Sequence, residues 1–337
     1  MKFIKTLLLF FILSSCFKDD VKKVEIEVYR FDKELSSVDS TNIDEKLADW
    51  DSTLNGFHHF YFRTFLKMEY ESHNQLKQNI LNFNREAEVI EINSEIDKYF
   101  ESLSEIENGL EFIFGKFKFY FPNLEIPKSL IAVNSFHSYG MVTYGDTLVV
   151  GLDFYLGEKN PLYRGYYDYQ KLRFQKKYMV IDALENWCNL QFFSSSNSIT
   201  FLDYLIAKGK ITYLIHEFLS EKNQDDAFRF SDTDLEWCRT NEQNIWNEIL
   251  ILNILYSKDS YSFQSFFYDS PFTKGMPNEP VTGDEPRNKS PGRLGYWVGY
   301  KIIQNYMQNN DVSLQELMRN TNSQQILLNS KYKPKHD

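Results

Sequence analysis

Ser290-Pro-Gly-Arg-Leu-Gly-Tyr-Trp-Val-Gly-Tyr-Lys-Ile-Ile-Gln-Asn-Tyr-Met307 is apolar on nearly every side once it is wound into a helix. Ser290 suits the cap and Pro291 the first position, where no amide hydrogen is needed. Lys301, Gln304, Asn305 and Gln308 recur at i, i+3, i+4 and i+7, so polarity is confined to one narrow stripe. Such a helix is predicted to be buried on most sides. Gly295 and Gly299 lie one turn apart, and each costs about 1 kcal/mol against alanine in a helix interior. Close approach of another backbone is the expected compensation. Arg293, in the first turn, opposes the helix dipole and calls for a carboxylate partner.

The partner is sought in a second apolar helix, predicted over residues 233–256. Leu235, Cys238, Ile245, Ile249, Leu252 and Tyr256 mark its buried face, and Glu242 falls on the same stripe. A carboxylate there needs a partner of its own. A structural ion pair between Glu242 and Arg293 is therefore expected, with Lys274 and Asp153 as the alternative partners.

Residues 43–84 read as two or three helices and 95–114 as another. Helices are also predicted over 180–193 and 201–219, with Ser194–Ser198 as the loop between them. Ser313-Leu-Gln-Glu316 fits a capping box opening a last helix. Val24, Ile26 and Val28 alternate with charged residues as in a strand. Ile131-Ala-Val133, Met141-Val-Thr-Tyr144 and Thr147-Leu-Val-Val150 read as further short strands, the last two joined at Gly145-Asp146. The fold class is mainly α with a small β element (α+β), and residues 24–337 read as a single domain. Residues 278–289, polar and proline-rich, read as a mobile loop.

The chain of 337 residues has 17% aromatic content, with 29 Phe and 22 Tyr, so rings should dominate its packing. A net charge of −10 argues against a nucleic-acid partner, which calls for a basic face. Residues 1–15 hold two lysines and the run Leu7-Leu-Leu-Phe-Phe-Ile-Leu13, a secretory signal too short to span a membrane. It ends in Leu13-Ser-Ser-Cys16, which resembles the lipobox of bacterial lipoproteins. That resemblance makes Cys16 the lipidated first residue of the mature protein, with residues 16–23 as its tether and palmitate among its acyl chains. Lys18-Asp19-Asp20 resembles the surface-export tag of some gliding diderm bacteria. Cys188 and Cys238 lie in apolar helical contexts and are expected as buried free thiols, although spacing alone does not exclude a disulfide.

Chemical motifs are sparse. His216-Glu217-Phe-Leu-Ser220 has the first half of a zinc-peptidase signature, but Ser220 stands where the second histidine belongs. Glu221 or Asp225 could complete a metal set only in an unusual way, and His216 is expected on a helix surface beside an acid. His58 and His59 sit in an aromatic run without a second ligand at helical spacing, so packed or surface histidines are expected. No metal, cofactor or catalytic residue is therefore predicted. No nucleophile elbow, Walker loop or dinucleotide fingerprint is present.

Several stretches together resemble the gliding-motility lipoprotein GldB family: residues 148–157, Glu236-Trp-Cys with Asn241-Glu242 and Ile245-Trp246, Leu255-Tyr-Ser257 with Asp259, Pro271-Phe-Thr-Lys-Gly275, the 290–307 stretch itself and Ser330-Lys-Tyr-Lys-Pro334. The resemblance implies an exported, outer-membrane lipoprotein required for gliding and linked to the type IX secretion and motility apparatus, with other gliding proteins as partners. It also implies, by analogy, a degenerate form of the gluzincin zinc-peptidase architecture. A non-enzymatic role is the expectation. A metal-dependent hydrolase near His216, or a periplasmic binding or assembly factor, are the alternatives.

Overall fold

The computed structural model describes residues 21–193, 199–270 and 290–334. Cys16, Lys274, the export tag, the 194–198 loop and the 278–289 loop lie outside them. The fold is mainly α with one small sheet, as the sequence implies.

That sheet has four strands in the order β1 (Glu27–Arg30), β2 (Ser129–Val133), β4 (Thr147–Gly151), β3 (Met141–Tyr144). β1 and β4 both run parallel to β2, while β3 and β4 form an antiparallel hairpin with Gly145 left-handed at the turn. The central strands are apolar without alternation because both faces are covered. Leu130, Ala132, Leu148 and Val150 face one core, while Ile131, Val133 and Val149 face another, formed with the N-terminal helices. A third core gathers the C-terminal helices around Leu294–Asn309.

Leu294–Asn309 packs along Phe201–Phe218 and against Ser323–Ser330. Gly299 meets Gly209 at the first crossing: a Cβ added to Gly299 would lie 2.9 Å from the Gly209 Cα. This is the close backbone approach that compensates the helix penalty. Gly295 differs, because it makes room for the Phe267 ring rather than for a backbone.

Three expected boundaries are corrected. The central helix begins at Leu294, so Arg293 precedes its first turn. Arg293 is left-handed (φ 58°) and its amide donates to the Tyr268 carbonyl at 2.7 Å, which pins residues 291–293 against a neighbouring loop instead of winding them. The expected 233–256 helix is two helices, Asp232–Thr240 and Glu242–Ile251. Asn241 at the junction donates its side-chain amide to the Trp237 carbonyl, a local bond that competes with helix propagation. The expected 95–114 helix is also two, Ala87–Tyr99 and Ser104–Tyr120, parted at Phe100, whose ring is fully buried. The capping box at Ser313 and Glu316 forms as its spacing implies.

Candidate functional site: a cationic cleft above a buried ion network

Asp182 and Glu185 lie one turn apart on Met179–Phe192, a helix otherwise packed into the core. Arg229 reaches them from the end of residues 221–228. It is left-handed (φ 56°), a backbone state uncommon for a non-glycine residue. Its Nε and Nη2 donate to Asp182 Oδ1 at 2.8 and 2.6 Å, and its Nη2 lies 2.5 Å from Glu185 Oε2. The other Asp182 oxygen accepts the Tyr155 hydroxyl at 2.8 Å. Burial by itself would raise Glu185, but Arg229, Arg293, Lys208 and Arg173 overcome it and hold the carboxyl at about 2. Burial opposes the charge on Arg229 too, yet Glu185 and Asp182 push its pKa upward.

Two further guanidiniums share one carboxylate above this network. Arg173 Nη1 donates to Asp269 Oδ1 at 2.6 Å, and Arg293 Nη1 approaches the same oxygen at 3.4 Å. Arg293 also lies 3.7 Å over the Tyr296 ring, a cation–π contact. Arg173 Nε, Arg293 Nε and Arg293 Nη2 are buried and have no hydrogen-bond partner among the described residues. Burial and the neighbouring cations Arg293 and Arg229 lower the Arg173 pKa. Lys208 is held by Asn189 at 2.9 Å and depressed chiefly by burial. Four cations (Arg173, Lys208, Arg229, Arg293) thus face three carboxylates (Asp182, Glu185, Asp269) among the described residues. The network borders a cleft of about 750 Å³ lined by Arg164, Arg173, Arg229 and Arg293, with Lys159 and Lys171, and by four carboxylates, Glu158, Asp168, Asp234 and Asp269, so its cations are in modest excess. Guanidinium forks with unused donors are suited to a carboxylate or phosphate group.

The expected pairing of Glu242 with Arg293 is corrected by this geometry. Arg293 goes to Asp269. Glu242, opening its own helix, lies 3.9 Å from Lys301, and the Tyr332 hydroxyl pKa is raised first by burial and then by Glu242 beside it. The alternative partner Asp153 is committed elsewhere. Fully buried, it accepts from the Ser135 amide (2.7 Å), the Ser135 hydroxyl (2.9 Å) and the His137 amide (2.6 Å), which shapes the loop leaving β2.

His216 is half-buried on its helix and lies beside an acid, as expected. Its side chain is 16% exposed, with Nε2 3.2 Å from the Tyr300 hydroxyl and Nδ1 3.2 Å from Glu217. It shares no metal-ligand cluster with Glu221 or Asp225 among the described residues. Cys188 and Cys238 are buried free thiols whose pKa values burial pushes well up. Asp182, Glu185, Arg173, Arg229 and Asp269 are not among the residues singled out from sequence. Two carboxylates at i, i+3 on an apolar helix were the available signal, the same one that singled out Glu242.

The sequence matches the gliding motility protein GldB family over residues 15–334. The chain belongs to that family. It is a gliding motility-associated protein, and the family match spans the ion network, the cleft and the Gly209–Gly299 crossing together. No curated protein and no solved structure matches it, so the analogy to gluzincin-type zinc peptidases gains no support.

Proposed function

We propose that this GldB-family protein is a lipid-anchored, non-enzymatic component of the gliding machinery. It is tethered at Cys16 to the outer membrane and works with the type IX secretion and motility apparatus. One observation carries the reading: the family match begins at residue 15, beside the lipobox cysteine, and continues to residue 334. Among the described residues no helix is long and apolar enough to cross a membrane, which is consistent with attachment through lipid. A non-enzymatic role is consistent with the ion network, where Arg229 holds the part-buried Asp182 and Glu185 and leaves neither free as a general base. Cys16→Ser should block lipid labelling, release the protein from the membrane fraction and stop colony spreading. Normal labelling and spreading in that variant would refute the anchor.

The cleft favours a second reading within the same machinery, the binding of an anionic group presented by a partner. Its support is the unused donors on Arg173 and Arg293. Arg164→Gln, at the cleft lining, should weaken capture of an acidic peptide while leaving the fold intact. Unchanged capture of that peptide would remove the support.

A further inference from the structure

The N-terminal layer carries a second polar cluster that shares no residue with the cleft. Asp51 lies near the end of Ile43–Thr53, and His58 and His59 lie in the short helix Phe57–Phe60. Between them, Asn55 (φ 47°) and Gly56 (φ 78°) are both left-handed, and this tight reversal folds the carboxylate back over the two rings. One ligand atom from each of the three side chains lies within 4.8 Å of the other two. Asp51 Oδ1 is 3.2 Å from His58 Nε2 and 3.7 Å from His59 Nε2. Donors on a tetrahedral ion with bonds of about 2.0–2.1 Å stand roughly 3.3 Å apart, so these separations need little adjustment to share one ion.

His58 provides the independent observation. The residue is 1% exposed, walled by the Trp50 and Phe62 rings, and neither of its ring nitrogens has a hydrogen-bond partner among the described residues. The Asp51 oxygen is close to Nε2 but off the line that an N–H donor requires, so a simple hydrogen-bonded pair does not satisfy the imidazole. A buried polar group left without a partner costs free energy that a ligand would recover. His59 is already oriented, because its Nδ1 lies 2.9 Å from the Tyr70 hydroxyl. Donation of the Nδ1 hydrogen to that oxygen leaves Nε2 with its lone pair, the usual outer support of a metal-binding histidine.

We infer that Asp51, His58 and His59 form a binding site for a divalent transition-metal ion of the zinc type. Two imidazoles and one carboxylate are a ligand set suited to such ions rather than to calcium or magnesium. Asp51 and His59 are 58% and 46% exposed, so the remaining coordination position faces solvent, where a water or a donor from a partner completes the shell. At helical spacing these histidines have no further ligand. The ligand comes instead from the preceding helix, across the reversal at Asn55-Gly56.

The test is zinc titration of the chelator-treated, full mature protein by calorimetry, with cobalt absorption as a second readout. One ion per chain is expected. Asp51→Asn and His59→Gln change exposed side chains and should each weaken zinc binding at least about tenfold with the far-ultraviolet circular dichroism unchanged. Tyr70→Phe should weaken it by about tenfold through loss of ring orientation. Absence of uptake would overturn the site. So would uptake unaffected by Asp51→Asn and His59→Gln, or uptake abolished by His216→Ala instead.

Discussion

Arg229 and His58 are both nearly sealed from solvent, at 4% and 1% exposure, yet their surroundings treat them in opposite ways. Around Arg229 the chain supplies two carboxylates at hydrogen-bond distance and a backbone carbonyl, so the desolvated charge is answered from within the fold. Around His58 it supplies aromatic walls and a carboxylate at the wrong angle, so the imidazole is packed but not satisfied. A buried polar group must find a partner or pay its desolvation. The first cluster therefore needs nothing from outside, whereas the second is complete only with an added ion.

The largest effect that separates them should come from removing the answering charge. Arg229→Met leaves the part-buried Asp182 and Glu185 without their cation, and breaking a buried pair from one side costs up to about 3–5 kcal/mol. Urea unfolding should show that loss, and adding Asp182→Asn and Glu185→Gln should recover part of it. A loss below about 1 kcal/mol would mean that water reaches the network and that the contrast with His58 is false.

Acid sharpens the same contrast. The folded-state pKa of Glu185 is depressed to about 2, from 4.5. Its contribution is fully present above the unfolded value and is lost as pH falls from 4.5 through about 2. Burial first, then His59, depresses His58 from 6.5 to about 4, with Asp51 opposing. Below pH 6.5 the unfolded chain binds this proton more readily than the folded one, so stability again falls with pH, but in the window from 6.5 to about 4. Each shift corresponds to about 3 kcal/mol at most. Chelator-treated protein should lose stability in the upper window, and His58→Phe should flatten that step alone. A step that persists in the variant would assign the upper window to other groups.

Local pattern made much of this legible, and long-range contact hid the rest. The stripe of Lys301, Gln304 and Asn305 announced the burial of the Leu294–Asn309 helix, and the glycine at 299 announced a close crossing. The start of that helix was not legible, because the use made of Pro291-Gly-Arg293 depends on the Tyr268 carbonyl, which arrives from another loop. The order of the sheet was hidden for the same reason, since Glu27 pairs with Ser129 across the whole N-terminal helical layer. Asp182 and Glu185 were visible as carboxylates on an apolar face, but nothing in the spacing pointed to Arg229. Asp51 and His58 were hidden by geometry of the opposite kind, a reversal only three residues long.

The Gly209–Gly299 crossing tests whether the core beside the cleft is as closely fitted as the ion network. Gly299→Ala adds a methyl group where the Gly209 Cα and the Leu205 carbonyl leave no room. Intrinsic helix preference would favour alanine by about 1 kcal/mol, but overpacking of a tight core typically costs about 1–3 kcal/mol. A net loss in thermal or urea unfolding is expected, together with a changed signal from Trp297 in the same helix. A gain in stability would show that the helices separate easily, and that this crossing does not fix the position of Arg293.

The smallest expected effect concerns Glu242 and Arg293, the pair that sequence pattern suggested and the fold divides. Each side chain has an ionic neighbour of its own, Lys301 at 3.9 Å and Asp269 at 3.4 Å. Residues without a shared partner add within about 0.3–0.5 kcal/mol in a double-mutant cycle. Glu242→Gln and Arg293→Gln should therefore each destabilise the protein, and their combination should equal the sum within that margin. Arg293→Gln with Asp269→Asn should instead fall short of additivity, because that pair shares a contact and the Arg173 guanidinium bridges to the same oxygen. The two cycles form a matched control, with one arginine measured against a distant acid and a near one. Coupling above about 1 kcal/mol between Glu242 and Arg293 would show that the two helices communicate, and that the cleft extends further than the residues that line it.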